Sequence, residues 1–256
     1  MSVLGLEGKV TVITGAAAGI GAATARLFAA EGAVLALCDR DTTFGDGPGP
    51  MRSVLDVRDA DALGTFVGEV TEAFGRIDVV INNAGGTFAA PLLEVSAKGE
   101  AALIAENFTQ VTHLVRETVP HMGPGSAIVN VTTIEAHRAA PGFALYAAMK
   151  AGQANLTKSL ALELAPLGIR VNALAPDAMR SEGVSALGGA LTKSGVPYRT
   201  SGVPPIGHYG TPEDAAGGIA YLASDLARFV TGITLHVDGG NLAAGGWIRT
   251  DIPPIQ

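Results

Sequence analysis

Three residues of this chain have the types and spacing to move a proton at a carbon–oxygen centre. Tyr146 and Lys150 stand four apart in Tyr146-Ala147-Ala148-Met149-Lys150, and Thr133 lies 13 positions before the tyrosine. On a helix, residues four apart share a face. An ammonium held beside a phenol favours the phenolate, so Lys150 is expected to lower the Tyr146 pKa from its free value of about 10. A phenol tuned in this way gives a proton to, or takes one from, an alcohol or carbonyl oxygen. The Tyr-x-x-x-Lys spacing is common on amphipathic helices, so it gains meaning only from the elements that position it.

Composition bounds those elements. The chain has 256 residues, is 48% hydrophobic and only 16% charged, and can therefore bury a large core. Lys and Arg number 17 against 24 Asp and Glu, with no basic run, which argues against a nucleic-acid partner. A single cysteine, Cys38, excludes an internal disulfide and a Cys-cluster metal site. His113, His121, His208 and His236 have no metal-ligand partners at useful spacing, so no metal is expected. The N-terminus lacks the apolar core of a signal peptide, and no apolar run is long enough to span a bilayer. The expectation is a soluble cytoplasmic protein.

Short apolar or β-branched runs alternate with helical stretches. Strands are predicted at 9–14, 33–39, 53–56, 77–82, 127–132, 170–174 and 233–237, and helices at 20–31, 60–74, about 98–121, 145–164 and 212–223. Continuous apolar strands alternating with helices imply a parallel sheet covered on both faces. The predicted fold class is α/β: a single doubly wound Rossmann-type domain, residues 1–256, with a seven-stranded parallel sheet. From Asp39 to Asp56 the chain is short, and its middle, Phe44-Gly-Asp-Gly-Pro-Gly-Pro50, cannot hold a stable helix.

The first strand runs into Thr14-Gly15-Ala16-Ala17-Ala18-Gly19-Ile20-Gly21 and then a helix. Glycines let a backbone approach a pyrophosphate, and a helix N-terminus offers free N–H donors. The spacing differs from the Gly-x-Gly-x-x-Gly fingerprint. The second strand ends in Asp39, 18 residues after Gly21, where a carboxylate is expected to hold adenosine ribose hydroxyls. It would also repel a 2′-phosphate, which favours NAD over NADP, although the adjoining Arg40 is able to soften that preference.

Together and in order, these motifs resemble those of the short-chain dehydrogenase/reductase family over almost the whole chain. Thr14 to Gly21 resembles its cofactor loop, with Gly15, Gly19, Ile20 and Gly21 at the nucleotide. Asp56-Val57 resembles its adenine-contacting pair, and Asn82-Asn83-Ala84-Gly85 its turn after the fourth strand. Asn107, followed by Pro120-His121-Met122, resembles its long-helix asparagine. Thr133, Tyr146 and Lys150 fall on its catalytic positions. Pro176 falls beside the nicotinamide, and Val237-Asp238-Gly239-Gly240 on the C-terminal strand and turn. The resemblance implies Tyr146 as general acid/base, Lys150 lowering its pKa and holding the nicotinamide ribose, Thr133 polarising the substrate oxygen, and Asn107 holding a water behind Lys150. It also implies a homo-oligomer, tetramer or dimer, pairing through the apolar helices around Asn107 and Tyr146.

Several positions depart from that pattern. The family usually has serine where this chain has Thr133, so a methyl is added and χ1 stiffened. Thr132 should face the opposite side of the strand. The family's Pro-Gly is Pro176-Asp177 here; Asp177 is expected to turn outward, and Ser181 to bond the carboxamide. Glu135, His137 and Arg138 make a polar rim, with mutual pairing at the surface the favoured reading over an anionic substrate. Residues from about 178 to 210 read as a mobile lid, and 241–256, with Trp247, as a segment that closes the pocket or reaches a neighbouring subunit. The implied activity is an NAD-dependent secondary alcohol dehydrogenase or ketone reductase. The alternatives are an NADPH-linked 3-oxoacyl thioester reductase and a nucleotide-binding regulatory protein with vestigial activity.

Overall fold

A computed structural model describes residues 3–41, 49–177, 179, 196–198 and 203–247. The strands are β1 Val10–Thr14, β2 Val34–Asp39, β3 Met51–Val54, β4 Val79–Asn82, β5 Ala127–Val131, β6 Arg170–Pro176 and β7 Thr234–Val237. All pairings are parallel, in the order β3-β2-β1-β4-β5-β6-β7. The helices are α1 Gly19–Ala30, α2 Ala60–Phe74, α3 Ala97–Ile104, α4 Gln110–Thr118, α5 Ala144–Glu163, α6 Pro212–Ala223 and α7 Asn241–Ala244.

Side chains alternate across the strands and so feed two cores. Ile13, Leu35, Leu37, Ile81 and Leu174 pack against Phe28 of α1 and Ile219 of α6. Their neighbours Val12, Ala36, Cys38, Val80 and Val171 pack against Phe66 of α2 and Leu114 of α4. Both faces are covered, as continuous apolar strands require. Chain order reverses between β1 and β4, so a crevice opens at the carboxyl ends of adjacent β1 and β4, where ligands bind in such sheets.

The boundaries differ from expectation where tertiary pairing decides them. β3 falls two residues earlier than predicted, because Met51 to Val54 pair with Ala36 to Asp39. The Asp56 carboxylate instead accepts from the backbone N–H of Arg58. β6 continues to Pro176, whose strand partner is Val237. The single helix predicted over about 98–121 is four consecutive segments. A π-helical turn, Ala105–Thr109, separates α3 from α4, and a 3-10 turn, Val119–His121, ends the run at Pro120. The short helix α7 was not expected. The middle of the β2–β3 connection lies outside the described residues, as do Ser181 and most of the expected lid.

α2 starts where Asp59 accepts from the N–H groups of Asp61 and Ala62, and it stops at Gly75 in the left-handed region (φ 76). Removing the cap in Asp59→Ala should lower unfolding stability by about 1 kcal/mol in denaturant titration. The cap lies outside the crevice, so ligand binding should be unaffected.

Candidate active site

The cradle at the end of β1 is held by one side chain from the end of β4. Asn83 Nδ2 donates to the carbonyl oxygens of Thr14 and Gly15, at 3.0 and 2.9 Å. Thr14 Oγ1 accepts in return from the N–H groups of Asn83 and Ala84. Gly15 has φ 65, and a Cβ there would lie 2.9 Å from Ala84 Cα. A Cβ on Gly21 would come to 2.0 Å from the Gly15 oxygen. Both positions therefore need glycine. Gly19 (φ 54) instead faces open space. The α1 N-terminus has no side-chain cap and no acidic residue in its first turn, so its N–H groups remain available to an anion. Asp39 stands at the end of neighbouring β2 and accepts from Ala17 N–H at 2.9 Å and Asp41 N–H at 3.0 Å. Close backbone approach, a free helix N-terminus and an adjacent carboxylate fit a dinucleotide. Asp56 and Val57 follow β3, next to β2. Arg58 grips the Asp56 carboxylate and holds it below the usual range.

Across the crevice, Tyr146 and Lys150 come from the first two turns of α5, and Thr133 from the end of β5. Thr133 is extended (φ −162), and its hydroxyl accepts from Glu135 N–H at 3.3 Å. Thr132 faces away, donating to the Leu174 carbonyl oxygen at 2.9 Å, as alternation requires. Lys150 is buried, with its Nζ 5.9 Å from the Tyr146 ring centroid. Its Nζ donates to the Val131 carbonyl oxygen at 2.9 Å and to Gln153 Oε1 at 3.2 Å.

The electrostatics correct one expectation. Tyr146 is half-buried as a residue, but loss of water around its charge, with Glu135 nearby, pushes the phenol up to about 12. The Thr133 hydroxyl works the other way. Burial brings Lys150 down to about 8, opposed by Glu106. Desolvation sets the direction of the phenol's shift, and Lys150 Nζ is directed at Val131 and Gln153.

Asn107 lies in the π-helical turn and is fully buried. Its Nδ2 donates to the carbonyl oxygens of Gly86 and Leu103, and its Oδ1 accepts from Gly86 N–H. A Cβ on Gly85 would lie 2.9 Å from that Oδ1 and 3.2 Å from Lys150 Nζ. Asn107 thus pins the turn that passes over Lys150. Pro176 is buried at the end of β6. The reading missed Gln153, Gly86, Gln110 and Glu106. Gln153 stands three residues beyond Lys150, so helix spacing was a usable signal. Gln110, which donates to the Ala84 carbonyl oxygen at 3.1 Å, gave none.

The rim is paired, with Glu135 and Arg138 partly exposed. Arg138 grips Glu135 through Nη2 at 2.7 Å and Nε at 3.2 Å, and Nη2 lies 3.8 Å from Asp177. Asp177 does not turn outward. Its carboxylate accepts from Asn241 Nδ2 at the start of α7 and is largely buried. The His137 and His236 rings meet edge to face at 4.8 Å. On the other side of Tyr146, Phe88, Leu92, Val95, Leu103 and Phe143 line an apolar crevice.

A parallel sheet with a glycine cradle at its reversal point, facing a tyrosine–lysine–hydroxyl cluster, defines a dinucleotide-binding oxidoreductase site. Known proteins agree. Residues 15–241 match the family model described as enoyl-(acyl carrier protein) reductase. A 3-oxoacyl-[acyl-carrier-protein] reductase of Thermotoga maritima is 39% identical over 92% of this chain and 98% of its own. The 3beta-hydroxysteroid dehydrogenase 1 of Eggerthella lenta is 38% identical over 92% of this chain and 94% of its own. The aldohexose dehydrogenase of Thermoplasma acidophilum superposes with a TM-score of 0.85 at 29% identity, covering 98% of both chains. A 3-ketoacyl-(acyl-carrier-protein) reductase of Brucella melitensis, solved with NADH, gives 0.81 at 30% identity, covering 93% of this chain and 99% of that one. The chain belongs to the short-chain dehydrogenase/reductase family, whose members bind a nicotinamide cofactor.

Two outcomes follow from the geometry. Thr133→Val should reduce turnover about 100-fold, the scale for losing one oxyanion-type donor. Thr133→Ser should retain it, and steady-state rates of all three proteins decide the matter. Glu135 raises the Tyr146 pKa, so Glu135→Gln should shift the rising limb of alcohol oxidation to lower pH. An upward shift would exclude that role for Glu135.

Proposed function

We propose that this chain is an NAD-dependent dehydrogenase that interconverts a secondary alcohol and a ketone, with Tyr146 as the general acid/base. The observation that supports it most is the placement of a buried Lys150 Nζ 5.9 Å from the Tyr146 ring centroid, with Thr133 at the end of β5, across from a cradle that ends in Asp39. The nicotinamide supplies the hydride acceptor or donor. Gly15, Gly19, Ile20 and Gly21 hold the pyrophosphate, Asp39 the adenosine ribose, and Asp56 and Val57 the adenine. Asn83, Ala84, Gly85, Pro176, Ser181 and Lys150 hold the nicotinamide half. Thr133 donates to the substrate oxygen. Tyr146 then takes the alcohol proton in oxidation or returns it in reduction. The positive charge of an oxidised nicotinamide opposes the desolvation that raises the phenol, so oxidation is favoured once it is bound.

Asn107 acts by fixing Gly85 and Gly86 over Lys150. We read 1–256 as one cofactor-binding domain, with 178–210 as its lid, working in the cytoplasm as a tetramer or dimer. Among the described residues no helix is long and apolar enough to cross a membrane. A second reading, an NADPH-linked 3-oxoacyl thioester reductase, draws support from the Thermotoga maritima relative. Asp39 disfavours it.

Rates with NADH and NADPH, over a panel of secondary alcohols, hydroxysteroids and hydroxyacyl thioesters, test the assignment. NAD(H) should be preferred, and Tyr146→Phe should lose about 1000-fold in turnover. Preference for NADPH on thioesters would support the second reading. Tight NAD binding with no turnover across the panel would mark a vestigial, regulatory protein.

A further inference from the structure

The adenosine end of the crevice holds two guanidinium groups, and each faces a carboxylate. Arg58 is bidentate on Asp56, its Nε 2.9 Å from Oδ1 and 3.0 Å from Oδ2. Arg40, directly after Asp39, places Nη1 3.5 Å from Glu106 Oε1. Arg40 is well exposed, whereas Glu106 is mostly buried, with 18% of its side chain exposed. Glu106 sits in the π-helical turn Ala105–Thr109, and its Oε1 lies where a Cβ on Gly86 would come to 2.9 Å. The segment 41–50 adds Asp41 and Asp46 but no Lys or Arg, and 15–21 adds no charge.

A 2′-phosphate arriving beside Asp39 would need a cation. By position in the sequence, Arg40 is the residue to supply it. We infer that Glu106 is a cofactor-specificity residue: from the π-helical turn it holds the Arg40 guanidinium, leaving Asp39 to meet the ribose without a phosphate-binding partner. Discrimination against the 2′-phosphate is then set by two carboxylates on two elements, Asp39 through direct repulsion and Glu106 by occupying the neighbouring cation. The inference rests on the nicotinamide-dinucleotide reading, but not on which of the two dinucleotides the wild-type chain prefers.

Isothermal titration of the full chain with NAD+ and NADP+ reads the effect as a ratio of dissociation constants, independent of turnover. Glu106→Gln should improve NADP+ binding relative to NAD+ about tenfold, the scale of one charge-assisted hydrogen bond. Adding Arg40→Ala to that variant should abolish the gain. Arg40→Ala alone should change the wild-type ratio by less than about twofold, as expected for an exposed arginine that contributes little to phosphate binding. The inference is overturned if Glu106→Gln leaves the ratio unchanged, if the gain survives loss of Arg40, or if Arg40→Ala alone weakens NADP+ about tenfold. A wild-type chain that binds NADP+ more tightly than NAD+ would defeat the proposed NAD dependence. The response to Glu106→Gln would still be readable in that case.

Discussion

The site depends on the tie between Asn83 and the end of β1. One amide donates to two successive carbonyl oxygens, of Thr14 and Gly15, while the Thr14 hydroxyl accepts two N–H groups from the other side. This joins the two strands between which chain order reverses. Cradle and catalytic wall are continuous through it. Ala84 receives Gln110, Gly85 lies against Asn107 and Lys150, and Gly86 is bonded to Asn107 in both directions. Three side chains of the broken helix run, Glu106, Asn107 and Gln110, therefore act on one short turn. The π-helical turn makes this possible by shifting the helix phase between α3 and α4, a device common at functional sites.

The charge balance of the cluster follows from burial. A buried lysine and a desolvated phenol each move towards the neutral form, one down and the other up. The lysine remains useful because it is held in place. Its two oxygen acceptors, Val131 and Gln153, fix the ammonium at the base of the pocket and give its charge a direction. The positive charge that draws the phenol down must then come from what binds above it.

Much of this was legible in the sequence. Alternation of apolar runs with helical periods gave the sheet and both covering layers, because each strand reads as buried on both faces. The glycine loop, Asp39, Tyr146 and Lys150 were legible because local spacing fixes their relation. What escaped depends on distant partners. A hydrophobic pattern across 97–118 does not reveal one extra residue in a helical turn, so the π-helical turn and Glu106 went unanticipated. Helix spacing placed Lys150 on the face of Tyr146 but said nothing about the Val131 carbonyl that turns its ammonium away. Asp177 was read as outward because its partner Asn241 is 64 residues distant.

Asp177 also changes what Arg138 can do. A lone arginine at the rim would recruit an anion, but this one is gripped by Glu135 and approached by Asp177. With two carboxylates around one guanidinium the group carries net negative charge, so a substrate carboxylate would have to displace an existing partner to reach it. The same pair ties the turn after Thr133 to the end of β6, and through Asn241 to α7. Holding that turn keeps Glu135 N–H on the Thr133 hydroxyl, which matters more here than in a chain with serine, since the threonine methyl allows fewer rotamers. The rim arginine is therefore best understood as a brace for the turn that follows Thr133.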